Sequence, residues 1–131
     1  MICDAAYPTY LLTYWTRDAA PDRQLPLPWA IKKLCHEPAA AVGMHDRGLL
    51  KVGYKADLNV IDFERLALHR PEMRFDLPAG GKRLVQTAEG YVATVVAGEV
   101  TYEHGEAAGP LPGRLVRAPE RRGADKPGGS R

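Results

Sequence analysis

The hydrophobic pattern of this chain changes once, near residue 47, and that change limits the folds open to it. Before it, apolar residues recur at helical spacing; after it, they form short runs rich in Val and Thr, which are typical of strands. Helices followed by strands are not the alternating pattern of an α/β fold. Four or five short strands also make a poor independent core unless another sheet covers them. The pattern therefore predicts a helical layer joined to part of a β-sheet.

The first 45 residues contain the signals for three helices. We predict a short helix over Pro8 to Arg17 with Thr9 as its cap, and a second that begins at Pro28. Pro38 cannot lie deep inside that second helix, so a third is expected over Pro38 to Val42, ended by Gly43 in a left-handed conformation. Aromatic residues recur along the first helix, and we assign them to core packing rather than to a ligand site: Tyr10, Tyr14 and Trp15.

The second part of the chain contains the strand signals. The predicted strands are Leu58 to Ile61, Lys82 to Gln86, Tyr91 to Ala97 and Val100 to Tyr102. The last two are expected to form a hairpin through a tight turn at Ala97-Gly98-Glu99. Residues 62–68 are interpreted as a connector and residues 71–81 as a long loop. Residues 118–131 are polar and rich in Gly and Pro, so we predict a disordered tail.

The net charge of +2 is a property of the tail rather than of the body. The tail holds four basic and two acidic residues, and the remaining 117 residues are balanced. A basic face for nucleic acid is therefore not expected. No apolar run approaches the roughly 18 residues of a membrane helix, and the first residues lack the pattern of a signal peptide. We expect a cytoplasmic protein with no membrane or nucleic-acid partner and with reduced cysteines, Cys3 and Cys35.

Few residues carry recognisable chemistry. The four histidines form neither H-x-H nor H-E-x-x-H, the arrangements that place two imidazoles on one metal, so no metal ligand is assigned. Gly80-Gly81 could hold an anion through backbone N–H groups, but a turn is the favoured interpretation. Asp57 and Asp62 flank a strand and are expected to cap turns. Cys3 and Asp4 near Tyr7 form a polar group for which we favour local packing over a role beside substrate.

Residues 46–62, DRGLLKVGYKADLNVID, resemble the closing β-segment of the metal-dependent amidohydrolases. That segment has an Arg-Gly turn, here Arg47-Gly48, and a Gly-x-x-Ala-Asp turn, here Gly53 to Asp57, followed by a hydrophobic strand. Within the superfamily the chain is most similar to the D-aminoacylases, or N-acyl-D-amino-acid deacylases. This likeness lies in MICDAAYPTYLL, RPEMRFDLPAGGKRLVQ and ATVVAGEVTYEHGEAAGPLPGRLVR, and it covers about residues 1–117.

The resemblance implies an α+β fragment: terminal helices of a TIM-like (β/α)8 barrel over residues 1–45, then C-terminal strands of a small β-sandwich over residues 46–117. A complete barrel needs about 250 residues, and no residue here matches the family's metal ligands. We therefore expect a C-terminal piece that carries no catalytic residue or metal and is inactive alone. Zinc, the N-terminal barrel segment and an N-acyl-D-amino acid substrate would belong to the intact enzyme. Only Cys3, Asp4 and Tyr7 are expected near that substrate.

Two alternatives remain open at this stage. The chain could be an independent, non-catalytic β-rich binding or structural module. It could also be a subunit that complements a separately encoded barrel half. An extension of the reading frame upstream of Met1 would distinguish them.

Overall fold

The computed structural model describes the backbone of residues 3–117 and the side chains of residues 5–117. Its first part is a layer of helices. Helix α1 spans Cys3–Tyr10 and runs directly into a π-helix, Leu11–Asp18. A 3₁₀ turn at Pro21–Arg23 leads to α2, Leu27–Leu34, and α3, His36–Ala41. The predicted tail, residues 118–131, lies outside the described residues.

The first helix is longer than predicted and changes its hydrogen-bond spacing midway. The backbone N–H of Ala19 donates to the carbonyl of Tyr14, five residues back, at 2.8 Å. Two threonine hydroxyls compete for carbonyls four residues back: Thr13 donates to Thr9 at 3.0 Å and Thr16 to Leu12 at 2.6 Å. The prediction that Thr9 caps the helix is wrong, because Thr9 lies inside it.

The second part forms three antiparallel sheets. The strands are β1 Leu58–Ile61, β2 Ala67–Leu68, β3 Glu72–Leu77, β4 Gly81–Val85, β5 Ala88–Glu89, β6 Tyr91–Val96, β7 Glu99–Glu103 and β8 Glu106–Ala107. The largest sheet has the order β1-β6-β7-β8, and the pairs β2-β5 and β3-β4 are separate. The α+β class predicted from the sequence is confirmed.

One loop prediction is wrong. Residues 71–81 are predicted to be irregular, but β3 occupies most of them and pairs with β4. The two strands are joined by a 3₁₀ turn, Pro78–Gly80, in which Ala79 has a φ of 58°. Two prolines and a Gly-Gly pair favour the loop interpretation, while the alternation of polar and apolar residues in β3 is the signal for a strand.

The turn between β6 and β7 has the predicted form. Ala97 and Gly98 both have positive φ, 52° and 86°, as a two-residue type I′ hairpin requires. The right-handed twist of this turn matches that of the flanking strands. It therefore directs β7 back along β6, where Thr94 pairs with Tyr102.

A small core lies between the helices and the sheets. Its centre is Leu12, Ala30 and Leu66, the last two fully buried. The partly buried side chains packed against this centre come from both parts of the chain: Leu11, Leu27, Leu34, Ile61, Phe63 and Tyr91. Helices and strands thus share one core.

The aromatic residues of the first helix lie at the border of this core rather than in it. Tyr10, Tyr14 and Trp15 are between 37% and 46% exposed, so their assignment to the core is wrong. Tyr10 stacks on Tyr14 with ring centroids 5.2 Å apart, and Trp15 packs edge-on against Tyr14 at 5.0 Å. Because these contacts are within one helix, the outer faces of the rings stay open.

Candidate functional site: the joint between helices and sheet

Arg17 connects the end of the π-helix to the connector that follows β1. Its Nη1 donates to the carbonyl of Phe63 at 2.6 Å, and its Nη2 to that of Leu66 at 3.0 Å. The guanidinium also lies 5.6 Å from the centre of the Phe63 ring, within cation–π range. The planar fork of donors suits two neighbouring carbonyls. Arg17 thus fixes the first helix against the segment that holds the core residue Leu66.

Asp18 completes this contact. Its carboxylate accepts hydrogen bonds from Arg17 Nε at 2.6 Å and from Nη2 at 3.0 Å. The hydrogen bond raises the pKa of Arg17 and lowers that of Asp18 below its ordinary value of 3.8. The acid therefore stays ionised well below neutral pH and holds the guanidinium in the orientation that reaches the two carbonyls.

A second link crosses the core between α1 and β6. The Thr9 hydroxyl lies 2.7 Å from the Tyr91 hydroxyl, and Thr9 is only 5% exposed. A buried hydroxyl without a partner would cost roughly 1–3 kcal/mol. This hydrogen bond therefore stabilises the position of the first helix against β6.

The Arg-Gly turn forms the other side of the joint. Gly48 has a φ of 82°, and a Cβ there would lie 2.7 Å from the carbonyl oxygen of Cys35 and 3.0 Å from Ala39 Cβ. Only glycine fits this approach without a shift of α3. The turn thus packs directly on the helical layer.

Arg47 and Asp57 connect the Arg-Gly turn to the β6–β7 hairpin. Arg47 donates to Asp46 at 3.0 Å and to Asp57 at 3.4 Å, which raises the pKa of Arg47 and lowers that of Asp46. Asp57 also accepts a 2.8 Å hydrogen bond from the backbone N–H of Ala97 in the β6–β7 turn. The prediction that Asp57 caps a turn is confirmed. Asp62 has the same role, accepting from the Arg65 N–H at 3.2 Å.

An open cavity of about 580 Å³ lies beside Arg47 and Asp57. Lys55, Glu99 and Arg114 contribute the other charges of its lining, and apolar residues of the segment 111–116 close one side. The lining includes no His, Cys or Ser, and its candidate acid–base side chains are Lys55, Asp57 and Glu99.

The residues predicted to lie near substrate are all in α1. Tyr7 is 59% exposed. The backbones of Cys3 and Asp4 form the first turn of the helix, and their side chains lie outside the described part of the chain. The role of these three residues beside a substrate stays a prediction.

A metal site does not fit the described residues. Between residues 5 and 117, whose side chains the structure describes, no group of three or more His, Cys, Asp or Glu is arranged to hold a metal ion. Over the same residues, none of the helices has the length and hydrophobicity to cross a membrane. No catalytic step is assigned to the described residues.

Comparison with protein families identifies the family to which this chain belongs. The model of the amidohydrolase family matches residues 1–102, which include the helical layer, the Arg-Gly turn and most of β7. The chain belongs to the amidohydrolase family. No curated protein and no solved structure matches it.

The joint of this amidohydrolase chain contains residues that the sequence pattern indicated and residues that it did not. The motif pointed to Arg47, Gly48 and Asp57, and the structure brings all three to one place. Arg17 and Thr9 were missed as linking residues, because their partners are 46 and 82 residues away. The only local signal for Arg17 was its position at the predicted end of the first helix. That position does not identify the carbonyl groups to which Arg17 donates.

Proposed function

We propose that this amidohydrolase chain supplies the closing helices and the C-terminal strands of a zinc-dependent enzyme. The enzyme hydrolyses the amide bond of N-acyl-D-amino acids to give a D-amino acid and a carboxylic acid. The family match over residues 1–102 carries the hydrolase part of this proposal. The choice of an N-acyl-D-amino acid rests on the resemblance of residues 70–86 and 93–117 to the deacylase branch.

The exposed apolar side chains of the helical layer support a composite enzyme. Tyr7, Trp29, Ile31 and Val42 are between 42% and 59% exposed. A monomeric protein rarely leaves so many large apolar groups of one layer in water, and such surfaces mark contacts with further polypeptide. In the proposed enzyme, a (β/α)8 barrel covers these helices, and further strands pair with the β-segment.

The proposal places zinc and the catalytic groups in polypeptide other than this chain. The described residues do not fit a metal, so no proton transfer or hydrolytic step is derived for them. The role of this chain is to hold α1 rigidly against the sheet through Arg17, Thr9 and the Arg-Gly turn. Cys3, Asp4 and Tyr7 would then line one wall of the substrate site.

The experiment begins with the reading frame upstream of Met1. If the frame continues, the extended protein is expressed with zinc and assayed on matched N-acetyl-D- and N-acetyl-L-amino acids. We expect hydrolysis of the D-substrates, its loss with a chelator and its recovery with zinc. Turnover by the 131-residue chain alone, or exclusive hydrolysis of the L-substrates, would contradict the proposal.

If the frame does not continue, the test uses the 131-residue chain and a separately encoded partner with an H-x-H motif. Their mixture should bind zinc and hydrolyse the D-substrates, whereas neither polypeptide should do so alone. A single cooperative melt of the isolated chain without binding of a hydrophobic dye would instead favour an independent module.

A further inference from the structure

The floor of the open cavity beside Arg47 is held by backbone hydrogen bonds. The N–H of Lys55 donates to the carbonyl of Asp46 at 2.8 Å, and the N–H of Gly98 donates to that of Ala56 at 3.0 Å. These bonds fix the Gly-x-x-Ala-Asp turn against the Arg-Gly turn on one side and against the β6–β7 turn on the other. Side chains that line the cavity from this floor are therefore carried on ordered backbone.

Two of the charged groups that line the cavity already have partners within the chain. Arg47 directs Nε and Nη2 to Asp46 and Nη1 to Asp57. The Asp57 carboxylate accepts from Arg47 through one oxygen and from the backbone N–H of Ala97 through the other. Arg47 and Asp57 therefore need no ligand to balance their charges.

Three further charged side chains line the cavity, and none has an ionic partner among the side chains of residues 5–117: Lys55, Glu99 and Arg114. Lys55 precedes Ala56 and Glu99 follows Gly98, so these opposite charges extend from two segments that a backbone hydrogen bond joins. Arg114 belongs to the C-terminal segment, which forms another wall. The cavity thus offers two positive groups and one negative group to a ligand.

The C-terminal wall of the cavity is apolar and loosely held. Leu111, Pro112 and Val116 supply its apolar lining, and Leu111 is 91% exposed. Over residues 109–117, no backbone hydrogen bond to another described residue is formed. Proteins commonly place ligand-binding loops in such weakly held segments. Movement of this wall onto a ligand would also remove exposed apolar surface from water, which favours binding.

A free amino acid with an apolar side chain fits all of these features. Its carboxylate can accept charge-assisted hydrogen bonds from Lys55 and Arg114, its ammonium group can donate to Glu99, and its side chain can pack on the apolar wall. A carboxylic acid without the ammonium group would leave Glu99 unpaired, and an amine without the carboxylate would face two cations. The cavity volume of about 580 Å³ lies within the range of roughly 300–1,000 Å³ that small-molecule sites have.

We propose that this cavity binds a free amino acid with an apolar side chain. The carboxylate lies between Lys55 and Arg114, the ammonium group contacts Glu99, and residues 109–117 close over the side chain. Arg47 and Asp57 keep their mutual contact and hold the floor in place. The closing segment lies after residue 102, where the family match ends, so the site includes residues outside that match. The inference does not depend on the deacylase activity.

The first test compares three probes of the same shape by isothermal titration calorimetry on the full 131-residue chain. Leucine carries both charged groups, 4-methylpentanoate lacks the ammonium group, and 3-methylbutylamine lacks the carboxylate. We expect leucine to bind, and each analogue to bind about tenfold more weakly or less, because each leaves a charged group of the site without its partner. Equal affinity for the three probes, or no binding of leucine up to about 10 mM, would overturn the proposal.

Charge-neutralising variants assign the two ends of the ligand. Lys55→Gln and Arg114→Gln should each weaken leucine and 4-methylpentanoate about tenfold, whereas Glu99→Gln should weaken leucine and spare 4-methylpentanoate. Matched controls on exposed strands outside the cavity, Lys82→Gln and Glu89→Gln, should bind leucine like the unmodified chain. Circular dichroism checks that every variant keeps its fold. Equal losses in the control variants would show that leucine binds through general charge or exposed apolar surface instead.

The position of the ligand is tested by nuclear magnetic resonance and hydrogen exchange. Leucine should shift the backbone amide signals of Ala97, Glu99 and residues 111–116, and it should slow hydrogen exchange in residues 111–116 as the wall closes. The amide signals of the distant strand β3 should not move. Shifts confined to the helical layer, or unchanged exchange in residues 111–116 at saturating leucine, would contradict binding in this cavity.

Discussion

The Thr9 hydroxyl and the Tyr91 hydroxyl lie 2.7 Å apart, although 82 residues separate them in the sequence. One is in the first helix and the other begins the strand that pairs with β1 on one side and β7 on the other. This single hydrogen bond ties the helical layer to the middle of the largest sheet.

Removing the Tyr91 hydroxyl should destabilise the chain. In Tyr91→Phe the Thr9 hydroxyl stays buried without its partner, so the free energy of unfolding should fall by about 1–2 kcal/mol. The control is Tyr102→Phe, because Tyr102 is 49% exposed and its hydroxyl reaches water. Urea denaturation of both variants is the measurement. Equal losses in the two would argue against a specific link through Thr9.

Replacing Arg17 by lysine should separate charge from geometry. Lysine keeps the positive charge but cannot reach the carbonyls of Phe63 and Leu66 with two fixed donors. We expect Arg17→Lys to lower the free energy of unfolding by about 1–3 kcal/mol. Arg83→Lys, at an exposed ion pair with Asp76, should have a much smaller effect because water screens that pair. A neutral Arg17→Lys would show that the charge alone holds the helix.

Gly90 should tolerate no side chain. Its φ is 93°, and a Cβ would lie 2.6 Å from the Cα of the buried Leu66. Gly90→Ala should therefore cost well over the roughly 1 kcal/mol that a positive φ alone imposes. Gly53→Ala measures that backbone cost by itself, since Gly53 has a φ of 87° and a Cβ there would meet no other atom within 4 Å. Similar losses for the two variants in urea denaturation would mean that Leu66 moves away at little cost.

Acid should weaken the contact between Asp18 and Arg17. The hydrogen bond from Arg17 holds the folded-state pKa of Asp18 below 3.8, so its stabilisation is complete above that pH. It is lost as the pH falls through the lowered folded pKa. Asp18→Asn should therefore be less stable than the unmodified chain at about pH 6, with a difference that shrinks below pH 3.8. Urea denaturation at a series of pH values, with Asp22→Asn as the control, is the measurement; a difference that does not change with pH would rule out the charge as its cause.

The sequence was sufficient for those elements whose signals are local. The strand Leu58–Ile61 and the Ala97-Gly98 turn were predicted because a run of apolar residues and a glycine act over a few positions. The strand β3 was missed because prolines bound it on both sides and a Gly-Gly pair follows it, and these turn signals outweighed its alternation of polar and apolar residues.

The contacts of the candidate joint could be predicted only in part, because some of them connect residues that are far apart in the sequence. The Arg-Gly turn and Asp57 lie within eleven residues of each other, and their motif is visible in the sequence. The contacts of Arg17 and Thr9 depend on how the helix packs against segments more than 45 residues away. The exposed aromatic residues of the first helix have helical spacing whether or not a neighbour covers them, so periodicity could not assign their burial.

The π-helical spacing of Leu11–Asp18 gives the first helix one residue more than an α-helix of the same length would hold. Deleting a single residue there would let the helix return to ordinary α spacing, at no cost in helical hydrogen bonds. Because the remaining residues would wind through the same angle, everything after the deletion would keep its orientation about the helix axis. Arg17 would still face the carbonyls of Phe63 and Leu66, so the wide turn takes up the extra residue without rotating the two halves of the molecule against each other.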